Sequence, residues 1–210
     1  MHVHSFHILF SHNCICLYSF EKPCYTPRIL GRRFALTSTA YKYLDIGISV
    51  GSDSFVEIIL GDNKGSQIIL SRATWAAFIE RRVDIERLLQ STTAASSISI
   101  CDLVIKLTTL YNTNVVKLIS RDTCMYMKPS TVLFLFEIEH CVEHVYLWLC
   151  QNTQAVSNKF KHFVCIVQRN CVTNKSDAVK ILQETCDKNS LIDCELLAFA
   201  LDNILYDALH

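Results

Sequence analysis

Leu44-Asp45-Ile46-Gly47-Ile48-Ser49-Val50 and Cys101-Asp102-Leu103-Val104-Ile105-Lys106-Leu107 decide the fold, because the same order of segments follows each of them. After the first come an apolar run at 55–60, then Gln67-Ile68-Ile69-Leu70, then a helical stretch at 74–90. After the second come 115–120, then Cys124-Met125-Tyr126-Met127, then a helical stretch at 131–150. Asp102 lies 57 positions after Asp45, and Thr131 lies 57 positions after Thr74. At that offset Glu80 meets Glu137 and Glu86 meets Glu143. Self-similarity at a fixed spacing is the mark of a tandem repeat.

Each unit predicts strand, strand, strand, helix. Ile46, Ile48 and Val50 alternate with Asp45, Gly47 and Ser49, the period of a half-buried strand. Val56, Ile58 and Leu60 continue that face, and Gly61-Asp62-Asn63-Lys64-Gly65 supplies hairpin residues that tolerate positive φ. Ser71 stands where a helix N-cap belongs, and Trp75, Phe78, Ile79 and Leu89 form one stripe after it. The second unit repeats this with Leu103, Ile105 and Leu107, then Val116 and Leu118, then Met125 and Met127. Its turn at Ser120-Arg121-Asp122-Thr123 is shorter and lacks glycine, and Pro129 sits near N1 of its helix, where a missing N–H costs nothing. The stretches 33–39 and 163–168 are candidates for one further strand each. The tail predicts helices at 177–187, capped by Ser176, and at 191–209, opened by Ser190 and Asp193.

The expected fold is therefore α+β, with two tandem antiparallel sheet-plus-helix units and a helical C-terminal extension. The divisions read as a leader at 1–40, unit 1 at 41–95, unit 2 at 96–170 and the extension at 171–210. Leu196, Leu197, Ala200, Leu201, Ile204 and Leu205 give the last helix a wide apolar stripe, which must dock on the body or on another copy. A homo-oligomer joined through these helices is one expectation.

Composition narrows the function. The 210 residues hold 5 Gly and 3 Pro, and no glycine follows Gly65. This excludes a P-loop and a G-x-G-x-x-G turn. The 20 basic and 20 acidic residues cancel, so nothing draws the whole chain to nucleic acid or anionic membrane. No run reaches the ~18 uncharged apolar residues of a membrane span. Eleven cysteines without a framework predict a reducing, intracellular setting, nuclear or cytoplasmic. A mitochondrial presequence is a further option, since Arg28, Arg32 and Arg33 precede Ser38 and Thr39 in an acid-poor start.

Ile68-Ile69-Leu70-Ser71-Arg72-Ala73-Thr74-Trp75, with Phe78, Ile79, Ile85 and Leu88 after it, resembles the end of the transcriptional positive-cofactor domain. Phe55-Val56-Glu57-Ile58-Ile59-Leu60-Gly61 resembles the strand before it, and a tandem of such units is similar to the Whirly proteins. The resemblance covers 44–90 directly and 101–150 through the repeat. It implies a pseudo-dimer of two sheet-plus-helix halves that binds single-stranded nucleic acid and acts in transcription or genome maintenance. It also implies contacts made by basic and aromatic side chains on the sheet. On that basis the contacts expected are Lys106, Lys117, Tyr126 and Lys128 in unit 2, with Arg32 and Arg33 on the lead-in.

His140-Cys141-Val142-Glu143-His144 matches H-x-x-E-H, in which two His one turn apart hold zinc and the Glu serves as base. The matching residues of unit 1, Val83 to Arg87 at 83–87, offer no such pair, and no third ligand is evident. His2, His4, His7, His12, Cys14, Cys16 and Cys24 are metal-capable, but Cys14-x-Cys16 is too close for a zinc knuckle. Tyr41 and Tyr43 beside Lys42 are either stacking residues or sheet-edge aromatics. The expectation is a non-enzymatic nucleic-acid-binding protein with no assigned catalytic residue, metal or cofactor. The alternatives are an interaction module of the same fold and a zinc hydrolase.

Overall fold

The structure, a computed structural model, describes residues 25–91 and 96–210; the His/Cys-rich stretch 1–24 lies outside them. Four antiparallel strands, β1 (Arg28–Ala35), β2 (Lys42–Ser49), β3 (Phe55–Asp62) and β4 (Gln67–Leu70), form sheet 1 in sequence order. Leu44 pairs with Leu60 and Ile46 with Ile58, so the alternation read from sequence becomes one apolar face. Sheet 1 reaches back to Arg28, inside the stretch read as leader. A bulge between Ile29 and Arg32 re-aims β1, with Leu30 at φ 55, and the Glu195 carboxylate accepts its N–H. Between β3 and β4, Gly65 takes φ 90, and Asp62 Oδ1 accepts the N–H groups of Lys64 and Ser66 at 3.0 Å each.

Sheet 2 repeats the arrangement with β5 (Ser97–Ile100), β6 (Leu103–Leu110), β7 (Thr113–Ser120) and β8 (Thr123–Met127). Each unit thus has four strands: in unit 1 the further strand offered at 33–39 runs at 28–35, and in unit 2 the addition is β5, ahead of the three expected. Pairing also corrects the fixed offset. Leu70 matches Met127, 57 positions on, but Leu60 matches Leu118 at 58 and Leu44 matches Ile105 at 61. Hairpins of unequal length account for the drift. Asp45 therefore corresponds to Lys106, not to Asp102. Sheet 2 turns without glycine by placing Cys101, Tyr111, Asn112 and Arg121 at φ between 49 and 59.

The helices keep the 57-residue offset strictly. α1 (Arg72–Glu80) and α2 (Arg82–Gln90) break at Arg81, and α3 (Pro129–Glu137) and α4 (Glu139–Arg169) break at Ile138. Ser71 caps α1 by accepting the Thr74 N–H at 3.0 Å, and Pro129 opens α3 at its N-terminus. The stretch 163–168, offered above as a strand, is helical: Val156, Phe160, Phe163 and Val167 recur at helical spacing and are buried on α4. Its run of Phe, Val and Ile is ambiguous when read locally. Trp75 and Phe78 are fully buried, and Phe78 stacks on Phe136 at 5.0 Å, joining the two units in one core.

The tail forms α5 (Lys175–Thr185), α6 (Leu191–Phe199) and α7 (Leu201–Leu209). Asn174 rather than Ser176 caps α5, accepting the Asp177 N–H at 3.0 Å. The last helix is broken at Ala200. Its stripe of Leu196, Ala200, Leu201, Ile204 and Leu205 is buried, with α7 packed along α4 and α6 against β1. The apolar tail thus docks on the chain's own body. No helix among the described residues is long and apolar enough to cross a membrane.

Candidate nucleic-acid interface

The core-facing alternation leaves each sheet a second face, and the two outer faces differ in charge. In sheet 1 the row across the strands is Arg33, Asp45, Ile59 and Ile69. Arg33 forks onto Asp45 with both bonds at 2.7 Å, and its guanidinium lies 3.7 Å from the Tyr43 ring centroid. Arg28 reaches Glu57 at 3.4 Å. Every acid of that face thus has a cation, and a cation in such a fork has little left to offer a phosphate.

The corresponding row of sheet 2 is Ser97, Lys106, Lys117 and Tyr126. Lys106 stands directly opposite Lys117, and Lys117 Nζ lies 5.5 Å from the Tyr126 ring centroid. Lys106 and Tyr126 are exposed. Lys128 follows two residues after Tyr126, at the junction of β8 and α3. Among the described residues, none of these three lysines forms an ion pair within 4.0 Å. The fold therefore gathers Lys106, Lys117 and Tyr126 into one row, with Lys128 beyond it. It leaves Arg32 and Arg33 on β1 of the other sheet, with Arg33 already paired.

Tyr43 is 6% exposed and serves packing, since a Cβ on Gly61 would sit 2.3 Å from its ring. Lys42 and Asp62, nearly buried, pair at 2.8 Å at the end of sheet 1. Burial pushes the Asp62 carboxyl up, but Lys42 and the turn N–H groups hold it below its ordinary value. Unit 2 has Leu103 and Ser120 at these two positions.

The H-x-x-E-H segment has other work. Arg72 holds the Glu143 carboxylate through both guanidinium nitrogens, one at 2.6 Å, and Trp75 Nε1 donates to it at 3.0 Å. Glu143 thus ties α1 to α4. No group of three His, Cys, Asp or Glu among the described residues could hold a metal.

Sequence reading missed a cleft of about 570 Å³ where the outer face of β3 and β4 meets the turns of sheet 2. Phe55, Glu57, Gln67, Ile69, Arg72 and Arg121 line it. Phe55 is 56% exposed and Ile69 55%, both on the face turned from the core. At its wall Asp102 accepts from Thr74 Oγ1 at 2.8 Å and from Ser120 at 3.3 Å. The Thr74 bond leads the causes that hold its carboxyl below the ordinary value. The only sequence signal was a Phe and an Ile at strand positions of the polar parity. Neither a family model, nor a curated protein, nor a solved structure matches the chain.

Proposed function

We propose that this protein binds single-stranded nucleic acid on the outer face of sheet 2, without catalysis, in transcription or genome maintenance. One observation carries the proposal: Lys106 and Lys117 face each other across β6 and β7, and no acid among the described residues pairs with either. Like charges directly opposite on neighbouring strands destabilise a sheet, and a bound polyanion reverses that cost. Tyr126 beside them offers a ring for base stacking, and Lys128 extends the cationic track. The resemblance of 44–90 to the positive-cofactor domain supports the same ligand class and is the basis for the process named.

Fluorescence anisotropy with a labelled oligothymidylate tests this. Three lysine contacts predict a slope of log K against log salt of about −2. Changing both Lys106 and Lys117 to Gln should bring it to about −0.7 and weaken binding at low salt. No binding at low ionic strength would sink the proposal.

Exposed Phe134, Leu147 and Trp148 on α3 and α4 favour a second reading, an interaction module without a nucleic acid site. Sedimentation decides it: a stable assembly that Trp148→Asp dissociates, together with no oligonucleotide binding, favours the module.

A further inference from the structure

Resting on the proposed nucleic acid site, we propose that the cleft between the outer face of sheet 1 and the turns of sheet 2 receives an unstacked base of the strand held on sheet 2. The cleft volume of about 570 Å³ falls within the range of small-ligand sites, about 300–1,000 Å³. Phe55 and Ile69 present apolar surface to it that nothing among the described residues covers, which suits the face of a base. The acids at its wall are engaged, Glu57 by Arg28 and Asp102 by Thr74 and Ser120, and Arg72 is engaged by Glu143. Arg121 makes no ion pair within 4.0 Å among the described residues; its charge helps keep the Asp102 carboxyl ionised, and its guanidinium donors stay open to a phosphate oxygen. It stands at the β7–β8 turn, four residues from Lys117, about 14 Å along an antiparallel strand. A chain of phosphates crossing the lysine row can thus pass Arg121 and deliver a base to Phe55.

The sequence shows why this falls to one side only. Ile69 and Tyr126 are equivalent edge positions of the two sheets, one in the cleft and one in the lysine row. The strand would contact phosphate-binding residues on one sheet and an apolar wall on the other. The occupant is a base because the cleft combines an aromatic face and an aliphatic face with Arg121, a cation that forms no ion pair within 4.0 Å among the described residues. The Gln67 amide, exposed at the same wall, adds a donor and an acceptor for a base edge.

The full chain and its Phe55→Ala, Arg121→Gln and Lys106→Gln/Lys117→Gln variants are titrated with an oligothymidylate and with an abasic strand of equal length. Phe55 is exposed, so circular dichroism and melting of Phe55→Ala should match the parent. Loss of base stacking is expected to weaken the intact strand about fivefold to a hundredfold in Phe55→Ala. The abasic strand should bind parent and Phe55→Ala equally, and Arg121→Gln should weaken both strands. If Phe55→Ala binds the intact strand as the parent does, while the lysine variant loses it, the cleft inference falls and the sheet-2 site stands. If the parent binds neither strand, both fall together.

Discussion

Asp193 is the residue on which the C-terminal extension turns. Its side chain is fully buried, and it pairs with Lys159 at 2.9 Å, accepts the Asp187 N–H at 3.0 Å and takes the Ser190 hydroxyl at 3.0 Å. Burial pushes its pKa up, but the Lys159 bond and the two other donors hold it below the ordinary carboxylate value. A carboxyl whose folded pKa is depressed stabilises the fold above its unfolded pKa, about 3.9, and loses that contribution as pH falls through the folded value. Asp193→Asn should therefore cost about 2–3 kcal/mol near neutrality, since Lys159 keeps access to solvent, and should flatten the stability loss below about pH 4. Urea melts across that range check both. Ser190 and Asp193 were legible as a helix start, because a capping pair is a local motif. That the same carboxylate would meet Lys159 of α4 was not, because that contact joins residues far apart in the chain.

At the scale of elements, hairpin geometry separates the two units. Sheet 1 turns with Gly65, whereas sheet 2 turns between β6 and β7 on Tyr111 at φ 49 and Asn112 at φ 59. Two consecutive left-handed residues make the turn whose twist matches the strands. Asn tolerates this conformation, but an aromatic there costs roughly 1–2 kcal/mol. The Tyr111 side chain is 101% exposed and loses no packing when removed. Tyr111→Gly should relieve the strain, offset in part by about 0.5–1 kcal/mol of glycine chain entropy. The net gain of up to about 1 kcal/mol raises Tm by about 2–4 °C, read by calorimetry. Strand β5 escaped sequence reading for a related reason. Its Ser-Ile-Ser-Ile run precedes a two-residue turn at Cys101-Asp102, in which Cys101 takes φ 50 without a glycine or asparagine to announce it. The helix breaks at Arg81 and Ile138 carry no glycine or proline either.

The whole molecule is one core closed by its own tail. Buried side chains run without interruption from both sheets through α4 to α6 and α7. Ending the chain after Ser190 removes Leu196, Leu201, Ile204 and Leu205, and it uncovers the faces of β1 and α4 that they pack on. Each buried aliphatic side chain contributes about 1.5–3 kcal/mol, so the four together are worth about as much as the whole margin of a typical domain. The truncated protein should aggregate or lose its cooperative melt. A soluble, cooperatively folded truncation product would show that the tail is dispensable.

By itself the sequence determined the type of each element within the repeated segments, the tandem order of the units and the helix starts at Ser71, Pro129 and Ser190. These follow from period-2 and period-3.6 patterns and from caps, all of which act over a few residues. Tertiary structure decided the register, and with it the partners of each charge. A shift from 57 to 61 positions sets Lys106, not Asp102, at the place in sheet 2 that Asp45 holds in sheet 1, and leaves Lys106 facing Lys117 while Arg33 is neutralised. Cross-strand pairing depends on hairpin lengths and on which faces the core claims, and those are properties of the assembled sheet rather than of any one segment.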